Sequence, residues 1–139
     1  MKYLCVGAAV LLLWFGLSLP VHGAELKFEF SPTGEHRLQW ETDLQIGILY
    51  DGYRDHFYIG YRKGDFGIRA YQDDIGLFVS HKFPVQDFIV WAGVEDVFTD
   101  WATAFIEVRQ SNQHGGPYLK LSQDFNGASY IFVGVSCIY

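Results

Sequence analysis

Residues 38–50 read LQWETDLQIGILY, and their alternation restricts what this chain can fold into more than any other feature. Leu38, Trp40, Leu44, Ile46, Ile48 and Tyr50 are apolar or aromatic, with Thr42 between them, whereas Gln39, Glu41, Asp43 and Gln45 are polar. A period of two belongs to a β-strand with two unlike faces. Taken as one strand, the stretch is about twice the usual 5–6 residues and about 40 Å long at ~3.3 Å per residue. Tilted by about 45°, such a strand crosses a bilayer core of about 30 Å. Its apolar face is therefore expected to meet lipid.

The same alternation recurs along the chain. Runs at residues 25–30, 56–62, 66–72, 75–83, 87–95, 101–111, 118–124 and 128–139 are separated by turn residues such as SPTG, KGD and Asn126-Gly127. With the opening run this makes nine candidate strands and no helical period of useful length. The pattern predicts an all-β meander, closed as a barrel or folded as a sandwich, and closure removes the edges that invite aggregation. Single-chain outer-membrane barrels have even strand numbers. The expectation is a small antiparallel up-and-down β-barrel of eight strands, one of the nine runs being a loop.

The first residues, MKYLCVGAAVLLLWFGLSLPVHGAE, explain how such a chain reaches its place. Lys2 supplies a positive start, residues 5–19 are apolar, Pro20 breaks the run, and a cleavage point follows at Gly23 or Ala24. This is the layout of a secretory signal peptide; the rival reading is a retained transmembrane anchor, for which the apolar run is short, so residues 1–23 are assigned to the signal and 24–139 to the barrel. Cys5 leaves with the signal, and Cys137 alone cannot form an internal disulfide. Net charge is −6 with no basic patch, so nucleic acid is not an expected partner.

Alternation by itself does not say whether the apolar face points in or out. A soluble barrel puts it inside, around a small apolar ligand; an outer-membrane barrel puts it against lipid. Aromatic residues near the run ends, among them Tyr50, Phe57, Tyr71, Trp91 and Trp101, suit a lipid–water boundary. The C-terminus, YIFVGVSCIY, places Ile131, Val133, Val135, Cys137 and Tyr139 on one face. It resembles the closing strand of bacterial outer-membrane β-barrel proteins, which end in an aromatic residue preceded by alternating apolar ones. Gly134 matches the glycine that family carries five residues before its end; Phe132 stands where the family has a polar residue. The resemblance implies the outer membrane of a Gram-negative bacterium, contact with its lipid and lipopolysaccharide, and recognition of the Tyr139 strand by the barrel-assembly machinery. The alternative location is periplasmic or secreted.

If the apolar face is outside, the lumen collects Arg37, Glu41, Asp43, Arg62, Arg69, Lys82, Glu107, Arg109, Lys120 and Asp124. Both signs occur in similar number, and unpaired charges there would be costly. The expected interior is paired and plugged, without an open pore.

Chemistry is thinly signalled. In EVRQSNQHGG, residues 107–116, Ser111 shares a face with Glu107 and Arg109, and His114 follows in the turn. A serine nucleophile needs an adjacent base, which His114 supplies only if the turn folds back. The segment resembles, over Ser111-Asn112, the His-x-Ser-Asn motif of outer-membrane lipid A 3-O-deacylases. Arg109 occupies the histidine position, and Asp124 is the nearest acid for the third role. Ser111, His114 and Asp124 are thus the catalytic candidates. The acidic group Glu95, Asp96 and Asp100 lacks the pattern of a dedicated calcium loop, the scattered histidines lack metal-ligand spacing, and no cofactor fingerprint is present. The expected role is non-enzymatic: structural, adhesive or envelope integrity. The enzyme alternative is a lipid A deacylase-like hydrolase.

Overall fold

The computed structural model describes residues 23–112 and 114–138. Residues 1–22 of the expected signal peptide, Gln113 and the terminal Tyr139 lie outside the described residues. Ten strands follow one another: β1 (Glu25–Phe30), β2 (His36–Glu41), β3 (Leu44–Tyr50), β4 (Asp55–Lys63), β5 (Phe66–Tyr71), β6 (Ile75–Val85), β7 (Phe88–Val97), β8 (Thr103–Gln110), β9 (Gly115–Asp124) and β10 (Ser129–Ile138). Each pairs antiparallel with its sequence neighbours, and β1 pairs with β10 to close the barrel.

The barrel is therefore ten-stranded, not eight-stranded. None of the nine runs is a loop, and the stretch 38–50 is two strands. Its Thr42-Asp43 centre reverses the chain, with the Thr42 N–H donating to the Leu44 carbonyl at 2.8 Å and the Leu44 N–H to Thr42 Oγ1 at 3.2 Å. The register pairs Glu41 with Gln45, Trp40 with Ile46 and Leu38 with Ile48. In this hairpin every pair shares parity, so even positions keep the same face through the turn. A period-two reading passes straight across such a hairpin, and no glycine marks it.

Turn lengths sort by end. The turns 42–43, 64–65, 86–87 and 111–114 lie at the end that also holds Ala24 and Ile138. The connections 31–35, 51–54, 72–74, 98–102 and 125–128 lie at the opposite end and are mostly longer.

The two faces differ throughout. Leu26, Leu38, Leu44, Ile59, Ile68, Leu77, Val90, Ile106, Leu119 and Val133 give one outward apolar residue from each strand, in register with outward apolar neighbours. Most of this surface is exposed; Ile59, Phe66, Ile75, Ile106 and Ile131 are more than half exposed. On the outer side of β1–β3, Ala24, Leu26, Leu38, Trp40 and Ile48 form a buried cluster with Ile46 and Phe57 against it. Inward positions carry Glu29, Arg37, Gln45, Tyr58, Arg69, Ser80, Glu95, Glu107, Lys120 and Ser136, all buried.

Close packing inside relies on three glycine–aromatic pairs. Gly47, Gly67 and Gly134 lie directly opposite Tyr58, Phe78 and Tyr118. In each, the ring occupies the space that a Cβ would fill.

Candidate functional site

The lumen is where this chain concentrates its polar chemistry. In its middle, Glu95 of β7 accepts from Arg37 of β2 at 2.9 Å, from Arg69 of β5 at 3.0 Å and from Lys120 of β9. Lys120 also reaches Glu29 of β1 at 3.3 Å. Glu29 accepts from the Tyr118 hydroxyl at 2.8 Å, and Asp96 from the Tyr71 hydroxyl at 2.6 Å. Arg37 and Arg69 each lie 3.4 Å from Asp96. Three cations thus meet three carboxylates, and side chains from strands on every side of the barrel lock together.

Nearer the short-turn end lie a second network around Glu107 and an Arg62–Glu41 group that joins the hub through Gln45 and Arg69. Lys27 donates to Glu107 at 2.9 Å, Arg109 donates to Glu107 at 2.6 Å and also reaches Glu25, and Arg62 bonds Glu41 at 3.0 Å and Ser80 at 2.8 Å. Cations against carboxylates, these networks set Lys27, Arg37, Arg62, Arg69, Arg109 and Lys120 against Glu25, Glu29, Glu41, Glu95, Asp96 and Glu107, six against six. Aromatic rings flank the cations: Arg37 and Arg69 approach Tyr58 at 5.7 and 5.2 Å, and Lys120 approaches Phe105 at 4.8 Å. Removing either charge of such a buried pair leaves the other uncompensated.

The central network separates two cavities. One, of about 150 Å³, opens toward the longer connections and is lined by Leu49, Trp101, Tyr130 and Phe132 with Glu35, Asp51, Asp100 and Asp124 around them. The other, of about 60 Å³, lies toward the short turns among Glu25, Lys27, Arg62, Trp91 and Glu107. Glu29, Arg37, Glu95 and Lys120 line both.

At the rim of the larger cavity, His56 Nε2 lies 2.7 Å from Asp51 Oδ2 and its ring packs 4.4 Å from that of Trp101. Asp51 Oδ1 accepts from the Tyr53 and Arg54 N–H groups at 2.9 and 3.0 Å. Partial burial alone would raise the Asp51 carboxyl; the His56 hydrogen bond and these two N–H donors outweigh it and hold the carboxyl below the ordinary aspartate value.

The three residues singled out as catalytic do not converge. Ser111 and His114 lie exposed in the 111–114 turn, where the His114 N–H is bonded to Asn112 Oδ1 at 3.0 Å. Asp124 ends β9 at the opposite end of the barrel and accepts from the Asn126 and Ala128 N–H groups at 2.9 Å. Arg109, in the position of the motif histidine, is bound to Glu107. Of the acidic trio, Glu95 and Asp96 are taken up by arginine and lysine, and Asp100 stands in the 98–102 connection. Among the described residues no group of histidine, cysteine and carboxylate side chains is arranged to hold a metal ion.

Of the charges expected in the lumen, Arg37, Glu41, Arg62, Arg69, Glu107, Arg109 and Lys120 are there. Asp43 belongs to a turn, and Lys82 is exposed. Sequence reasoning placed the three cations of the hub and missed its carboxylates, Glu29, Glu95 and Asp96. Lys27 and Glu29 were open to it, since they alternate with Leu26, Phe28 and Phe30. Asp96 was not: a bulge sets Leu77 opposite Val97 and Val79 opposite Val94, so β7 spends one extra residue there and Glu95 and Asp96 both turn inward. Asp96 takes a positive φ of 57° at this point. No family model, curated protein or solved structure matches the chain.

Proposed function

We propose that this chain is a β-barrel of a Gram-negative outer membrane, held shut by its own side chains and acting in envelope integrity or adhesion. One observation carries the reading: an apolar face runs outward around all ten strands while paired charges fill the inside. A soluble barrel gains its stability from the reverse arrangement, because apolar area left in water forgoes roughly 25 cal/mol per Å². Lipid removes that penalty, and the closed sheet leaves no unpaired edge in the hydrocarbon. The even strand count, both described chain ends at one end, and the shorter turns at that same end agree with the general plan of such barrels.

In this reading the N-terminal signal delivers the chain across the inner membrane, and the assembly machinery reads the strand ending in Tyr139. The lumen contributes rigidity, and the longer connections face outward to partners or lipopolysaccharide. The test is fractionation of cells expressing the full chain, with gel migration of unheated and boiled samples. Folded, heat-modifiable protein in the outer-membrane fraction is the expected result. Recovery as a detergent-independent periplasmic protein overturns the reading.

A further inference from the structure

We infer that the barrel passes small monovalent cations, through a septum whose movable member is Lys120. The inference rests on the membrane reading and adds an activity to it. Two cavities occupy the lumen, one toward each end, and Glu29, Arg37, Glu95 and Lys120 line both. The barrier between them is therefore made of these side chains.

Its members are not equally fixed. Arg37 and Arg69 hold Glu95 at 2.9 and 3.0 Å and each also contacts Asp96. Lys120 is shared between Glu95 of β7 and Glu29 of β1. When Lys120 leaves Glu95 and stays on Glu29, Glu95 keeps two arginine partners and Lys120 keeps a carboxylate. No charge is stranded, so the usual penalty for breaking a buried pair does not apply in full. A lysine on a flexible four-carbon stem makes that swing without moving the backbone. The two arginines, each tied to the adjacent Glu95 and Asp96 of β7, form the fixed side of the septum, whereas the two carboxylates of Lys120 stand on different strands.

The larger cavity sets the sign of what enters. Glu35, Asp51, Asp100 and Asp124 come from four different connections or strand ends and surround its mouth. The cations in its lining, Arg37 and Lys120, belong to the paired septum. A ring of carboxylates at a narrow mouth concentrates cations and repels anions.

The test uses folded protein purified from membranes and placed in planar bilayers under a potassium chloride gradient. Wild type is expected to show rare, brief openings with potassium favoured over chloride. Lys120→Ser removes the movable member and should raise the open fraction at least tenfold. Glu35→Gln with Asp100→Asn should move the reversal potential toward equal permeability. Heat-modifiable migration checks that each variant is folded. Folded, membrane-inserted wild type and Lys120→Ser that both stay silent overturn this inference and leave the membrane reading intact. A chain that does not enter membranes overturns the membrane reading instead. Openings that favour chloride, or selectivity indifferent to the double variant, overturn the role given to the acidic mouth.

Discussion

Gly134 on β10 lies directly opposite Tyr118 on β9, and a Cβ built at Gly134 would stand 2.1 Å from the Tyr118 Cζ. The ring takes the place of a missing side chain, and its hydroxyl then reaches Glu29 on β1 at 2.8 Å. One glycine thus lets the last hairpin tie itself to the first strand. Gly134→Ala should cost about 1–3 kcal/mol by overpacking and lower the yield of folded barrel. Adding Tyr118→Ser should recover part of that loss, and a double-mutant cycle by urea unfolding measures it. Additive losses would show that the ring does not occupy the Cβ space.

Ile106, in the outward row of β8, is 51% exposed. Ile106→Arg should destabilise the inserted barrel by about 2–4 kcal/mol, the cost of a midplane charge on the lipid face. Gln123→Arg, outward near the end of β9, should cost about 0–1 kcal/mol, as expected near an interface. Folding yield into lipid vesicles compares the two; equal effects would contradict a lipid-facing band.

Glu95 accepts from three cations, so Glu95→Ala takes a carboxylate from Arg37, Arg69 and Lys120 at once and leaves only Asp96 and Glu29 against them. The loss should be about 3–5 kcal/mol, as for other broken buried pairs. Urea midpoints of the folded protein in lipid give the value, and a change below about 1 kcal/mol would mean that the hub does not hold the barrel.

Sidedness has a direct readout. In a Cys137→Ser background, a cysteine at Asn126, in the 125–128 connection, should react with an impermeant thiol reagent on whole cells. A cysteine at Asn112, in the 111–114 turn beside the chain ends, should react only after the outer membrane is opened. The opposite pattern would invert the barrel.

The Asp51 carboxyl titrates below its ordinary value of 3.8 in the folded state. A depressed carboxyl contributes stability that is full above the unfolded value and disappears as pH falls through the folded one. Its two N–H partners, those of Tyr53 and Arg54, should therefore lose hydrogen-exchange protection, corrected for intrinsic rate, as pH drops below about 3.8. Asp51→Asn should remove that pH dependence, and unchanged protection in the parent protein through this range would refute it.

Period two was enough to determine an all-β chain with an apolar and a charged face, because strand side chains alternate whatever the strands pair with. ELKFEF and EVRQ by themselves place Lys27, Glu29, Glu107 and Arg109 on the polar side. Strand number needed the fold. Leu38 and Ile48 share a face both in one long strand and in the hairpin that pairs them, so alternation reads alike in both. The inward turn of Asp96 needed it too, because the β7 bulge shifts parity where the sequence shows no mark. The separation of Ser111 from Asp124 was likewise decided by topology: β9 carries the chain from one end of the barrel to the other between them. Which cation meets which carboxylate depends on strands far apart in sequence, such as β2 and β7 for Arg37 and Glu95. Local pattern carries no record of such pairings; closure of the ring creates them.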